Sequence, residues 1–258
     1  MSTSPYQNNS LNRGFAVLEQ IAANNGSLTL TEIAHRVGMA KPTTKRFLES
    51  LMGLGYVTAD AKGKTFSISP KILQLGYSVF SSLTWREIAR EYMERFYEEI
   101  GETISACVLE GSNILYVLRV NKPGFPIIHT VGTARPAYAS SMGKILISLK
   151  PVDWQTKFIN SINFSPITPY TVSSKEALRV QLDAARAQGY ALCNQEVSEL
   201  LRSVAVPILH QEEAVAAINV AVWAEEYTLE RLLHEILPKL QLCASQISQA
   251  LMHMEYRF

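Results

Sequence analysis

The sequence predicts an α+β chain: a winged helix-turn-helix at the N-terminal end, a helical linker, and a larger mixed α+β domain. Three observations predict it. Two short amphipathic segments flank a glycine turn between residues 28 and 53. Two alternating runs around a basic turn follow immediately. Beyond residue 100, strand-like runs mix irregularly with helical ones, which is the pattern of an α+β domain. The chain has 258 residues, 47% of them hydrophobic, enough for a real core and for one large or two modest domains.

The first segment carries Leu11, Phe15, Leu18 and Ile21-Ala22 at helical spacing, an apolar stripe expected to face inward, and Asn24-Asn25-Gly26-Ser27 ends it. Residues 1–9 precede it as a polar tail. In Leu28-Thr29-Leu30-Thr31-Glu32-Ile33, Thr29 and Glu32 stand at capping-box spacing, so a short helix starts near Leu30 and stops at Gly38. Pro42 sits at the favoured first turn of the next helix. Thr44, Phe47, Leu48 and Leu51 form its apolar stripe, with Lys41, Thr43, Lys45, Arg46 and Glu49 mainly outside. Tyr56-Val57-Thr58 and Thr65-Phe66-Ser67-Ile68 then read as two strands joined by Asp60-Ala61-Lys62-Gly63-Lys64. Helix, helix, helix, hairpin is the order of a winged helix-turn-helix over residues 10–69.

Such a module meets DNA through the first turns of its second motif helix. Here those turns offer Lys41, Thr43, Thr44, Lys45 and Arg46, with Arg and Lys able to donate to guanine and Thr methyls able to touch thymine. Lys62 and Lys64 on the wing can neutralise phosphates. Charge agrees: residues 1–70 carry seven basic side chains against four acidic ones, a net +3, whereas the whole chain is only +1. The expected partner is a double-stranded, pseudo-palindromic operator bound by a dimer. A winged helix that binds protein is the alternative.

Residues 70–84 read as a linker helix with Ile72, Leu73 and Leu75-Gly76. Residues 85–258 form the second domain. Thr84-Trp85-Arg86-Glu87 has capping-box spacing, and Trp85, Ile88, Ala89, Tyr92 and Phe96 share one helical face. Thr103–Glu110 and Asn113–Asn121 pair as a hairpin, and Pro126–Thr130 is a short strand. Ala139–Leu149 and Ser174–Gln188 are helical, the latter entered through Ser173 and Glu176. Ala191–Asn194, Ser203–Leu209 and Ala214–Val222 are strands. Thr228 to about His253 is a long helix with a break expected at Pro238.

Other classes find little support. Cys107, Cys193 and Cys243 lie far apart, and the five His show no ligand spacing, so neither a disulfide framework nor a metal nor a cofactor is expected. No apolar run approaches the roughly 20 residues of a bilayer span, and the N-terminus has no signal core, so no membrane partner and a cytoplasmic location are expected. Ser141-Met142-Gly143-Lys144 matches the S-x-x-K element of serine acylating hydrolases, but the partner motifs S-D-N and K-T-G are missing. The chain is not expected to be an enzyme.

Nearly the whole chain resembles the IclR family of bacterial transcriptional regulators. The stretches that carry the resemblance are LNRGFAVLEQIAANNGSLTLTEIAHRVGMAKPTTKRFLESLMGLGYV, FSISPKILQLG, VGTARPAYASSMGKILIS, ARAQGYALCNQEVSELLRSVAVPI and AVAAINVAV, in the family's order. PAYASSMGK and LRSVAVPI are most similar to its PcaR/PobR-like branch, which controls aromatic-acid catabolism. The resemblance implies a GAF-like effector-binding and oligomerisation domain with a central antiparallel sheet, and a homodimer or homotetramer. It implies a small organic, aromatic acid as effector, in a pocket lined by Ser141, Met142, Cys193, Asn194, Leu201, Ser203, Asn219 and Ala221, with Ile127 and His129 at the entrance. Backbone amides at a helix start suit a carboxylate. Arg135 and Arg202 are further candidates to pair with it. Members that bind small keto acids have an acidic residue where this chain has Cys193, a cysteine at Ser203 and serines at Asn219 and Ala221, so the set here is less polar and fits a larger, flatter ligand.

Overall fold

The computed structural model describes residues 8–24, 26–125 and 130–252. They fall into two compact units, one ending at Ser82 and one starting at Leu83.

In the first unit, α1 spans Asn9–Ala22 and is capped by Asn8, whose carboxamide oxygen accepts from the amides of Ser10 and Leu11 at 3.0 and 3.2 Å. Asn9 therefore belongs to the helix and Asn8 to its cap. A two-residue strand β1 (Leu28–Thr29) leads into α2 (Leu30–Arg36). The expected capping box forms: the Thr29 hydroxyl accepts from the Glu32 amide, and the Glu32 carboxylate accepts from the Thr29 amide at 2.8 Å. Those hydrogen bonds from Thr29 hold the Glu32 carboxyl below its ordinary pKa. Helix α3 runs Lys41–Gly53 with Pro42 in its first turn, and β2 (Val57–Ala59) and β3 (Thr65–Ile68) form the wing. The three strands pair antiparallel in the order β1-β3-β2. Lys71 closes the C-terminal end of α3 by donating to the Leu54 carbonyl at 2.8 Å. Helix α4 spans Ile72–Ser82.

Val17, Ile21, Leu28, Ile33, Leu48, Val57 and Phe66 fill the core of this unit. The stripe expected to bury α1 does so only at its C-terminal half. Leu11 and Phe15 are 58% and 53% exposed. So small a core is filled before α1 reaches its N-terminus, and the outer turns line an open apolar groove with Phe47, Leu51, Leu54, Ile72 and Leu75.

The second unit is built on a six-stranded antiparallel sheet, order β6-β5-β4-β9-β8-β7. Its elements are α5 (Trp85–Ile100), β4 (Thr103–Glu110), β5 (Asn113–Val120), β6 (Ala134–Pro136), a 3-10 turn at Ala137–Ala139, α6 (Ser141–Ser148), α7 (Val152–Ser161), α8 (Lys175–Gln188), β7 (Ala191–Asn194), β8 (Leu201–His210), β9 (Glu213–Trp223), α9 (Leu229–Arg231) and α10 (Leu237–Leu251). The expected capping box at Thr84 does not form: Thr84 is already helical (φ −59, ψ −28) and makes no side-chain cap. The cap of α8 is Ser174, not Ser173, and accepts from the Ala177 amide. Pro238 does not break the last helix. A π segment at Leu232–Ile236 widens the turn just before it and the helix continues, as a proline without an N–H allows. Of the expected strand at 126–130, residues 126–129 lie outside the described residues. Among the described residues, no helix is long and apolar enough to cross a membrane.

Strand alternation divides the sheet into two faces. Ile104, Ala106, Val204, Val206, Ile218, Val220 and Val222 pack with Trp85, Met93, Leu240 and Ile247 of α5 and α10. The opposite face is made of small residues, Ala191, Ala205, Ala217 and Cys107, and meets Met142, Ile145 and Leu146 of α6. Small side chains there let α6 lie close against β7, β8 and β9, and all eight of its residues are buried.

Candidate functional site

The helix pair α2–α3 turns at Gly38, which adopts φ +64. This turn and the cap of α2 set the start of α3. Lys41, Lys45 and Arg46 are exposed there and Thr43 is half-buried. Lys45 makes only a surface contact with Glu49 at 3.7 Å, of the kind worth little in stability. The sequence places Thr44 both in the apolar stripe of this helix and among the DNA-facing residues, and it takes the first place. It is 0% exposed and its hydroxyl donates to the Ala40 carbonyl at 3.2 Å. It belongs to the core stripe of α3 and is withdrawn from the DNA-facing set. On the wing, Asp60 holds the tip by accepting from the amides of Lys64 and Thr65 at 2.6 and 3.2 Å. The hydrogen bond from Lys64, then that from Thr65, keeps the Asp60 carboxyl below its ordinary pKa. Lys62 and Lys64 stay exposed on that tip.

The second unit holds a narrow cavity of about 50 Å³, lined by residues that include Tyr116, Arg135, Ser141, Cys193, Ser203 and Asn219. Its roof is the N-terminal turn of α6. Ser140 caps that turn by accepting from the Gly143 amide at 3.0 Å. The Ser141 and Ser203 hydroxyls are hydrogen-bonded to each other at 2.8 Å. The sheet supplies the floor through Ser203 opposite Cys193 and Ala221, and Asn219 opposite Ala205 and Ser105. Burial pushes the Cys193 and Tyr116 side chains up in pKa, so both enter the cavity wall as neutral groups.

Lys144 sits one turn into α6, 2% exposed. Its ammonium is paired with the buried Glu196 carboxylate and donates to the Leu192 carbonyl at 3.2 Å. Glu196 is held in turn: its carboxylate accepts from the Val172 amide, and its carbonyl from the Thr171 hydroxyl at 2.6 Å. A lysine engaged in this way does not activate Ser141, whose hydroxyl is on Ser203. The S-x-x-K match is therefore a structural pair of positions: a cavity serine and a buried ion-pair lysine.

Residues 10–61 match the family model described as the IclR helix-turn-helix domain, and residues 77–249 match the one described as the bacterial transcriptional regulator IclR C-terminal domain. The chain belongs to the IclR family. It is 33% identical over 232 residues to the Pca regulon regulatory protein of Pseudomonas putida, covering 89% of this chain and 79% of that one. It is 28% identical over 244 residues to the p-hydroxybenzoate hydroxylase transcriptional activator of Acinetobacter baylyi, covering 92% and 89%. The crystal structure of a transcriptional regulator from Rhodococcus sp. RHA1 superposes with a TM-score of 0.76 at 34% identity, covering 95% of this chain and 98% of that one. The protein is a DNA-binding transcriptional regulator with an IclR effector-binding domain.

Against that identity, the expected effector residues divide. Ser141, Cys193, Leu201, Ser203, Asn219 and Ala221 line one cavity. Met142 and Asn194 do not. Met142 is buried among core residues of α6, and only its backbone amide remains near the helix start. The Asn194 side chain accepts from Arg202 Nε at 2.7 Å, while Arg202 Nη1 donates to the carbonyls of Ala224, at 2.8 Å, and Tyr227. Asn194 and Arg202 thus tie strand ends together. Arg202 borders the cavity, yet its guanidinium is directed at those partners. Ile127 and His129 lie outside the described residues. Tyr116, Val197 and Ser198 line the cavity without having been expected there. Tyr116 sits inside a plain alternating strand, where a tyrosine reads as core.

Proposed function

We propose that this IclR regulator binds a pseudo-palindromic operator as a dimer through α3 and the wing, and that a small aromatic acid seated beneath α6 alters that binding to control a catabolic operon. The observation that carries the DNA reading is the exposed row Lys41, Lys45 and Arg46 on the first turns of α3, with Lys62 and Lys64 on the wing beside the same motif. Helix first turns are what reach base edges in the major groove. The acid reading rests on the helix start above the Ser141–Ser203 pair, and on relatives named for the Pca regulon and for p-hydroxybenzoate hydroxylase. The cavity holds only a few water-sized groups as it stands, so an aromatic ring requires it to widen. That widening gives the effector a preference for one conformation, which any ligand-driven change requires. Residues 70–84 serve as the linker between the DNA-binding and effector domains.

Dimerisation is supported by apolar surface. Leu11, Phe15, Leu54, Leu73, Leu75, Tyr77 and Val79 are all more than half exposed within the first unit, and Leu11, Phe15, Leu54 and Leu75 line one groove, the kind of apolar surface that marks an interaction site. A Phe15→Glu variant is expected to sediment as a smaller species than the parent and to bind operator more weakly. An unchanged sedimentation coefficient would move the interface elsewhere.

The DNA reading is tested by two substitutions. Arg46→Ala is expected to weaken operator binding by about 1–3 kcal/mol if it reads a guanine, with little effect on random DNA. Lys64→Ala is expected to weaken binding to all sequences and to reduce the salt slope by about one. If both variants match the parent, α3 and the wing are not the DNA-contacting elements.

A further inference from the structure

Among the described residues, four buried side-chain polar atoms have no hydrogen-bond partner: Trp85 Nε1, Glu102 Oε2, Gln181 Oε1 and Asn219 Oδ1. Asn219 is the one of the four that lines the effector cavity, and it is 6% exposed. A buried acceptor without a donor is costly, because it has given up water and gained nothing. It is also selective. Oδ1 takes a proton from a ligand hydroxyl and gains nothing from a carboxylate oxygen, which would have to meet the Nδ2 end of the same carboxamide.

The rest of the cavity has the opposite polarity. The Ser141 and Ser203 hydroxyls share one hydrogen bond, which uses one of their two protons and leaves the other to donate. The Ser141 and Met142 amides, which lie ahead of the intrahelical ladder, add donors on the same side, the Gly143 amide being held by Ser140. On the floor, Ser203 stands opposite Ala221 of β9, and Asn219 lies two residues further along that strand on the same face. The cavity wall therefore holds donors at one place and, one pleat repeat away, a carboxamide whose oxygen has no donor. Its complement is a molecule with an acceptor group and a separate donor.

We propose that Asn219 selects effectors carrying a hydroxyl in addition to the carboxylate, so that the protein separates a hydroxylated acid from the same acid without its hydroxyl. The carboxylate sits under the α6 start with the Ser141–Ser203 pair, and the hydroxyl donates to Asn219 Oδ1. This rests on the reading of the cavity as an acid effector site, and it adds which functional group is read and by which residue.

The test is calorimetric titration of the full chain with matched acids: benzoate, its 2-, 3- and 4-hydroxy derivatives, 4-methoxybenzoate, and the aliphatic pair propionate and lactate. At least one hydroxylated acid is expected to bind about tenfold or more tighter than its unhydroxylated partner, since a site built for a hydroxyl leaves its own polar group unpaired against the analogue. The 4-methoxy compound, which has no proton to give, is expected to behave like benzoate or worse. In Asn219→Ala the difference is expected to shrink to within about twofold, by loss of affinity for the hydroxylated acid alone. Equal binding of partners in the parent chain overturns the inference whether or not any variant folds, and so does discrimination that survives Asn219→Ala. If only the aliphatic hydroxy acid binds, and does so through Asn219, the aromatic reading fails and this inference stands. If no acid binds at all, both fall.

Discussion

Glu196→Ala is expected to destabilise the effector domain by about 3–5 kcal/mol, because it leaves the Lys144 ammonium buried without its counter-charge. Lys144 has no route to solvent at 2% exposure, and the Leu192 carbonyl at 3.2 Å compensates only part of a full charge. The same substitution removes the acceptor of the Val172 amide and loosens the segment that Thr171 ties to Glu196. For a unit of this size the loss corresponds to a fall in melting temperature of roughly 6–20 °C. Calorimetric unfolding of the intact chain reads it. The decisive control is the double variant Lys144→Met with Glu196→Leu. Replacing both charges by apolar groups is expected to recover most of the stability, since a buried pair is worth far less than the penalty for breaking it. A double variant as unstable as Glu196→Ala would mean that packing around the side chains, and not the stranded charge, sets the loss.

Gly143→Ala is the second large effect, and there two terms oppose each other. Helix propensity favours alanine by about 1 kcal/mol. Packing forbids it: a Cβ at position 143 would lie 2.1 Å from the Ala137 carbonyl oxygen and 2.5 Å from its Cα. Those are backbone atoms of the 3-10 turn and cannot rotate away, so α6 must slide off that turn, carrying Ser140 and Ser141 with it. Overpacking commonly costs roughly 1–3 kcal/mol even where side chains can adjust. The net expectation is a loss of about 2 kcal/mol or more in stability, together with weakened effector binding. Gly53→Ala is the matched control. It sits at the end of α3 with nothing within 4 Å of the added atom, and should be neutral or stabilising by up to about 1 kcal/mol. Equal melting points for Gly143→Ala and the parent would show that the helix and the turn separate easily.

The N-terminal module was readable from sequence because its signals are local. Thr29 and Glu32, Pro42, and the Asp60–Lys64 turn each act within a few residues, and all three appear as expected. What local pattern misjudged was the extent of burial. The sequence places Thr44 both in the apolar stripe and in the DNA-facing set; it satisfies its hydroxyl on its own helix, so only the stripe assignment holds. Leu11 and Phe15 continue a periodic stripe past the point where the core is full. In the effector domain, Ser141, Cys193, Ser203 and Asn219 come together as expected, since strand parity places the three sheet residues on the face that α6 covers. Asn194 has the same composition cues but stands directly opposite Arg202 in the β7–β8 register and accepts from its guanidinium, a cross-strand pairing that no spacing rule reveals. The short β6 and α7 were missed because neither has a periodic run long enough to register.

In the proposed function, one chain couples an acid beneath α6 to operator binding by α3. The most direct measurement is fluorescence anisotropy of the full protein on a DNA fragment from upstream of its own gene. It would run at several salt concentrations, against random DNA, with and without hydroxylated benzoates. Tight, salt-dependent binding is expected that prefers the upstream fragment and changes in midpoint when one of the acids is added. No preference over random DNA, or a preference that no acid shifts while calorimetry shows the acid bound, would contradict it.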